Sequence, residues 1–137
     1  MSVQYQVLPR LNLALFAYSG QVTFAEALAA VAAVARHPDH HDTMRQLCDL
    51  SGVTGVERDF PALMKMQARM AEDLLPVRGE RIVVFFAPHR AAQQMASMAR
   101  KSWDGLDQVL VRVVDSEDQA LALLGLKHAA ISELFDA

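Results

Sequence analysis

The chain has 137 residues, 53% of them apolar and 21% charged, which fits one folded domain and excludes a disordered or low-complexity protein. Its net charge of −3 is too small to favour nucleic acid as a partner, and no apolar run approaches the roughly 20 residues of a membrane span. A single cysteine, and a first segment without the pattern of a secretion signal, predict a cytoplasmic location. We therefore expect residues 1–137 to form one soluble domain.

Two β-rich runs open the chain, Val3–Leu8 and Leu11–Tyr18, and their close spacing predicts a hairpin or a bent pair of strands. A Ser-Gly pair follows and is typical of a turn. Thr23 and Glu26 then have the spacing of a capping box, in which the two residues bond reciprocally at a helix start. Apolar residues at helical spacing predict the first helix over 24–36.

The middle of the chain repeats the alternation of strand and helix. The segment Met44–Leu50 predicts a buried strand, and residues 51–55, with two glycines, predict a turn after it. Asp59 is the expected N-cap of a second helix, with a proline in the first turn, where its missing N–H costs nothing. The apolar stripe of this helix consists of Phe60, Leu63, Met64, Met70 and Leu74.

The last third supplies two strands and three helices. The run Arg81–Ala87 is continuously apolar after its first residue, which indicates burial on both faces of a sheet. A helix is predicted over 89–102, a strand over Val109–Val114, a serine-capped helix over 116–125 and a short terminal helix over 128–136. The order β-β-α-β-α-β-α-β-α predicts an α/β domain, with a mixed, mainly parallel sheet of about five strands and four to five helices.

This order, over about residues 3–126, resembles the STAS fold of anti-sigma-factor antagonists and the SpoIIAA-like group, including small bacterial proteins of the STAS/SEC14 type. The segment Leu47–Val53 is similar to the third strand and following turn of that family. The segment Ala120–Gly125 is similar to its closing alanine-leucine helix, which finishes at glycine. The resemblance implies a non-enzymatic binding or regulatory module.

The chain departs from the family at the site of its regulatory chemistry. In phosphoregulated STAS proteins a kinase modifies a serine in the turn that opens the helix after the third strand. At the matching place this chain has Glu57, Arg58 and Asp59, without a hydroxyl, so the resemblance does not imply a phosphorylation switch here. Glu57 and Asp59 either mimic a negative charge at the helix N-terminus, or Asp59 simply caps the helix.

Five of the seven methionines fall on the two predicted helices that flank the strand over residues 81–87. Methionine-rich surfaces adapt to varied apolar ligands, so these residues predict a groove for a lipid-like molecule or a protein partner, unless they fill the core. The candidate groove residues are Phe60, Met64, Met66, Met70, Met95, Met98 and Trp103. Met66 lies off the main stripe, so its exposure discriminates between the two interpretations. Basic residues near these positions, Arg58, Lys65 and Arg69, are placed to attract an anionic head group.

The densest group of metal-ligand side chains is the segment His37–Asp42. Imidazole and carboxylate groups suit zinc or nickel, which makes His37, His40 and His41 candidate ligands. The same histidines also complement the dipole at a helix C-terminus, and no fourth ligand is identifiable. We therefore expect no resident metal or other cofactor.

Ser51, with Asp49 and a distant His89, has the residue types of a hydrolase triad. The G-x-S-x-G pattern that exposes a nucleophilic serine is missing, so a serine in a turn is the alternative interpretation. An enzyme centred on the Asp49–Ser51 turn or on the histidine segment is the alternative to a binding module. A homodimer joined through the first strand or the terminal helix is a further expectation about partners.

Overall fold

The fold is described from a computed structural model, which covers residues 3–41, 43–73, 80–102, 109–128 and 130–135, without the side chains of residues 60, 70–73 and 102. Five strands form one sheet, and five helices pack on it. The strands are β1 Val3–Leu8, β2 Leu13–Val22, β3 Arg45–Val56, β4 Arg81–Phe86 and β5 Val109–Val114. The helices are α1 Phe24–Ala35, α2 Phe60–Asp73, α3 Arg90–Ser102, α4 Glu117–Leu123 and α5 Ile131–Phe135.

The spatial order of the strands is the same as their order in the chain, β1-β2-β3-β4-β5. The strand β1 is antiparallel to β2, and every later neighbour pair is parallel. The predicted α/β architecture with a mixed, mainly parallel five-stranded sheet is therefore confirmed. Residues of α1, α2 and α3 line one common space against β2, β3 and β4, so these three helices lie on one face of the sheet, as crossovers of one hand in one direction require.

The helices form one layer on each face of the sheet, and each layer packs against its own apolar cluster. On one face, β-strand residues such as Phe16, Cys48 and Val83 pack with buried residues of α1 and α3. On the other face, residues such as Leu47 and Val84 pack with α4 and α5. Consecutive residues of β4 thus enter opposite clusters, which confirms that this strand is buried on both faces.

Strands β2 and β3 are longer than predicted, and the predicted turn over residues 51–55 is wrong. The two strands stay paired beyond the Ser-Gly segments, with register shifts between Ala17 and Ser19 and between Gly20 and Gln21. Gly52 is needed there because a Cβ atom would lie 3.1 Å from both the Ser19 Cβ and the Tyr18 carbonyl oxygen. The glycines that resemble turn residues therefore allow close approach and bulging of two paired strands.

The predicted helix starts are confirmed by their hydrogen bonds. The Glu26 N–H donates to the Thr23 hydroxyl at 3.2 Å, and that hydroxyl donates to Glu26 Oε1 at 2.9 Å. The Gln119 N–H likewise donates to the Ser116 hydroxyl at 3.3 Å. The helix ends are less well predicted, since α4 ends at Leu123, two residues before the left-handed Gly125. The terminal helix is limited to α5 among the described residues.

Candidate functional site

A cavity of about 70 Å³ lies between the sheet and the helices α1, α2 and α3. Its helical walls carry small and flexible apolar side chains, and its floor is the face of β2, β3 and β4 that faces these helices. The helical walls include Ala27, Val31, Leu63, Met66, Met95 and Met98. An apolar cavity of about 150 Å³ accommodates benzene, so this one fits a molecule of a few non-hydrogen atoms.

The floor of the cavity is more polar than its walls. Tyr18 comes from β2, and Gln46 and Cys48 come from β3, with an even spacing that puts all three on one face of the sheet. They are 6%, 8% and 1% exposed, in that order. The ring of Tyr18 stacks on Phe16 at a centroid distance of 6.2 Å, which restricts its orientation. The chain therefore holds three polar side chains at fixed positions in an apolar space.

Both ionisable groups on the floor are kept neutral. Burial raises the pKa of the Cys48 thiol to about 12, while the hydrogen bond from Gln46 opposes this rise and the nearby Asp49 carboxylate adds to it. Burial, and to a smaller extent Cys48, raises the pKa of the Tyr18 hydroxyl well above its usual value. An apolar surrounding disfavours the charged form of each group. The floor consequently presents O–H, S–H and amide groups and no charge.

The segment formed by Glu57, Arg58 and Asp59 caps two helices at the edge of this cavity. The Phe24 N–H, at the start of α1, donates to Glu57 Oε2 at 2.8 Å. The Ala62 N–H donates to Asp59 Oδ1 at 3.1 Å, which confirms Asp59 as the N-cap of α2. Glu57 therefore caps α1 and not α2, because β3 runs alongside β2 as far as Val56 and so ends next to the start of α1. Arg58 between them is exposed.

The predicted methionine groove is only partly present. Met66, Met95 and Met98 line the cavity, whereas Met64 is 69% exposed and does not line it. Met66 thus lines the cavity although it lies off the predicted apolar stripe, and Met64, which is part of that stripe, does not. The inward side of α2 is set by its packing on α1, which turns Leu63 and Met66 towards the cavity.

Two other predicted groove residues, Phe60 and Met70, lie in α2, but their side chains are outside the described part of the structure. Trp103 lies outside the described residues altogether. The walls are instead completed by residues that sequence reasoning did not assign to a site, such as Ala27 and Val31 of α1. In the sequence these residues are distinguished only by their helical spacing in α1, and ordinary core residues have the same spacing.

The expected basic rim is not part of the cavity. Arg58, Lys65 and Arg69 are exposed, and none of them lines it. The described residues that do line it include no aspartate, glutamate, lysine, arginine or histidine. An anionic head group inside the cavity would thus be buried without an opposite charge.

The histidine segment makes local hydrogen bonds. The Asp39 N–H donates to His37 Nδ1 at 3.1 Å, and His41 Nδ1 lies 3.2 Å from the Thr43 hydroxyl oxygen. His40 also has a bonding partner. Within the described residues, which omit Asp42, no three histidine, cysteine, aspartate or glutamate side chains are placed to hold one metal ion.

Asp49, Ser51 and His89 lie close together, but they contact backbone atoms. The Ser51 N–H donates to Asp49 Oδ1 at 2.9 Å. His89 Nδ1 accepts from the Ala92 N–H at 3.3 Å, so its Nε2 carries the proton and donates to the Ser51 carbonyl oxygen at 2.9 Å. Neither the carboxylate nor the imidazole is bonded to the serine hydroxyl, as activation of a nucleophile requires.

Comparison with known families and with curated proteins gives no match to this chain. Among the helices in the described ranges, none combines the length and the apolar character that crossing a bilayer requires.

Proposed function

We propose that this protein is a non-enzymatic binding module of STAS or SpoIIAA-like type that holds a small, mostly apolar molecule in the cavity between its sheet and its first three helices. The observation that carries the proposal is the cavity itself, with helical walls that are apolar and a floor that holds a few fixed polar groups. This combination is typical of small-molecule sites, in which apolar walls supply affinity and a few polar groups set orientation.

The family resemblance supports the regulatory part of the proposal. A five-stranded mixed sheet with the element order described above is compatible with a STAS fold. The segment from Val56 to Phe60 has no hydroxyl to phosphorylate, and the carboxylates of Glu57 and Asp59 are already bonded to the N-termini of α1 and α2. Ligand binding beside these caps therefore takes the place of phosphorylation as the regulatory input.

The geometry does not favour a hydrolase or a metalloenzyme as a second candidate function. Asp49 and His89 both bond to the backbone of Ser51, and the described histidines of the 37–41 segment do not converge on one point. Cytoplasmic location, a protein partner and a homodimer remain predictions from the sequence.

Native mass spectrometry of freshly purified protein tests the proposal, together with xenon titration followed by methyl NMR. We expect a co-purifying small molecule, or saturable xenon shifts at the methyl groups of Val31, Met66 and Met98, because xenon enters apolar cavities. The variant Ala27→Leu fills the cavity from α1 and is expected to abolish either signal. Ala25→Leu places the same side chain at an exposed position of the same helix and serves as the matched control.

The proposal is contradicted if wild-type protein shows neither a bound molecule nor saturable xenon shifts. It is also contradicted if Ala27→Leu and Ala25→Leu retain binding equally, since the ligand would then lie elsewhere.

A further inference from the structure

We infer that the cavity selects an uncharged ligand with a hydrogen-bond acceptor such as a ketone, aldehyde or amide carbonyl, and that the Tyr18 hydroxyl is the group that recognises it. The inference rests on the proposed function and specifies the chemical class of the ligand. Its basis is the hydrogen bonding of the floor residues.

The Tyr18 hydroxyl is a donor that faces the cavity and has no protein partner in the part of the chain that the structure describes. The residue is 6% exposed, lines the cavity, and makes no side-chain hydrogen bond within the described ranges. The hydroxyl oxygen is not among the buried polar atoms that lack a partner, so it keeps access to the space of the cavity. A ligand carbonyl in the cavity supplies the missing acceptor.

Gln46 provides the complementary group. Its Nε2 donates to the Cys48 Sγ at 3.3 Å, and its Oε1 accepts no hydrogen bond from the described residues. The amide is therefore fixed by the thiol with its oxygen free to accept from an N–H of the ligand. An O–H donor on β2 and a carbonyl acceptor on β3 match a primary amide as well as a simple carbonyl compound.

Charge excludes the other common classes of small ligand. The described lining residues include no cationic side chain to pair with a carboxylate or phosphate, and no anionic one to pair with an amine. The nearest carboxylate of the capping segment, Glu57, is bonded to the Phe24 N–H and would repel an anion. A charged ligand would be desolvated without compensation, which costs far more than one hydrogen bond contributes.

A set of small molecules with nearly the same trigonal shape tests the inference. Acetone, acetamide, isobutene and acetate have about four non-hydrogen atoms each, within the size that the cavity admits. We expect acetone and acetamide to bind wild-type protein about three- to tenfold more tightly than isobutene, the range for one net neutral hydrogen bond. Acetate is expected to show no saturable binding. Affinities are measured from methyl chemical-shift titrations.

The variant Tyr18→Phe keeps the ring and removes only the hydroxyl, so it is expected to reduce the preference for acetone over isobutene to about one. The other tyrosine of the chain, Tyr5, is 44% exposed on β1 and does not line this cavity, so Tyr5→Phe is the matched control and should retain the preference.

The possible outcomes separate the inference from the proposed function. Equal binding of acetone and isobutene by wild-type protein, saturable acetate binding, or an unchanged preference in Tyr18→Phe each overturns the inference and leaves the cavity a binding site. Absence of binding by all probes, xenon included, overturns both, because the cavity then holds water only. The wild-type comparison needs no variant and stands even if Tyr18→Phe fails to fold.

Discussion

Alkaline pH is expected to destabilise this fold through the Cys48 thiol. In the folded chain burial raises the pKa of this thiol from 9.0 to about 12. Above pH 9 the unfolded chain loses the thiol proton while the folded chain keeps it, so the free energy of unfolding falls as the pH rises. The stabilisation is complete below pH 9 and is lost as the pH approaches 12.

The size of this effect follows from the shift. Each unit of pH between the two pKa values changes the free energy of unfolding by about 1.4 kcal/mol for one group. From pH 8 to pH 11 the thiol alone therefore accounts for a decrease of about 2–3 kcal/mol. Tyr18, whose pKa is also raised, adds to the decrease above pH 10.

The assay is urea unfolding followed by circular dichroism at pH 8 and pH 11, with a reducing agent present, on wild type and Cys48→Ala. The variant is less stable at pH 8 because it loses buried volume, but its decrease between the two pH values should be smaller than that of wild type by about 2–3 kcal/mol. The surface groups are present in both proteins and cancel in this comparison. Because Cys48 contributes to the raised pKa of Tyr18, its removal also lessens the decrease due to Tyr18, which acts in the same direction as the loss of the thiol. An equal decrease in the two proteins would refute the claim that the thiol is buried and neutral.

Two further predictions concern stability and are measured by the same unfolding assay at pH 7. Glu57→Ala removes the acceptor at the start of α1 and is expected to lower the free energy of unfolding by about 1 kcal/mol. Glu57→Gln keeps an acceptor and should cost less. A loss no larger than that of Glu80→Ala, at an exposed position, would argue against this cap. Leu47 is fully buried between the sheet and α4, so Leu47→Ala is expected to lower the free energy of unfolding by about 2–5 kcal/mol. The side chain of Leu110 is 46% exposed, so Leu110→Ala should lower it by about 0.5 kcal/mol or less. Similar costs for the two leucines would contradict the assigned core.

The fold was predictable from sequence where local rules agree with tertiary packing. Thr23, Asp59 and Ser116 cap helices as their residue types predict, since a side-chain oxygen at that position satisfies a free N–H in any environment. The long continuation of β2 and β3 was not predictable, because Gly52 has the same appearance in a turn and in a close approach of two strands. Only the partner strand distinguishes the two.

The candidate site was harder to predict than the fold. Helical spacing places Met64 in the apolar stripe and Met66 off it, but the neighbour of α2 decides which of them faces inwards. That neighbour is mainly α1, so Met66 lines the cavity and Met64 is exposed. The polar floor gave only a weak signal, a glutamine within an apolar strand. This glutamine, Gln46, forms part of a polar site only together with Tyr18, which lies on the neighbouring strand about 28 positions earlier in the chain.

The order of the strands also has a consequence for how the chain assembles. Each strand of the sheet pairs with the strands that precede and follow it in sequence, so no strand has to enter between two that are already paired. A single connection joins each pair of neighbours, so no pairing has to close a loop that contains another strand, and smaller loops cost less entropy. The sheet can therefore grow from β1 towards β5 in the direction of synthesis. The floor residues Tyr18, Gln46 and Cys48 all come from β2 and β3, so the pairing of these two strands is enough to bring them together.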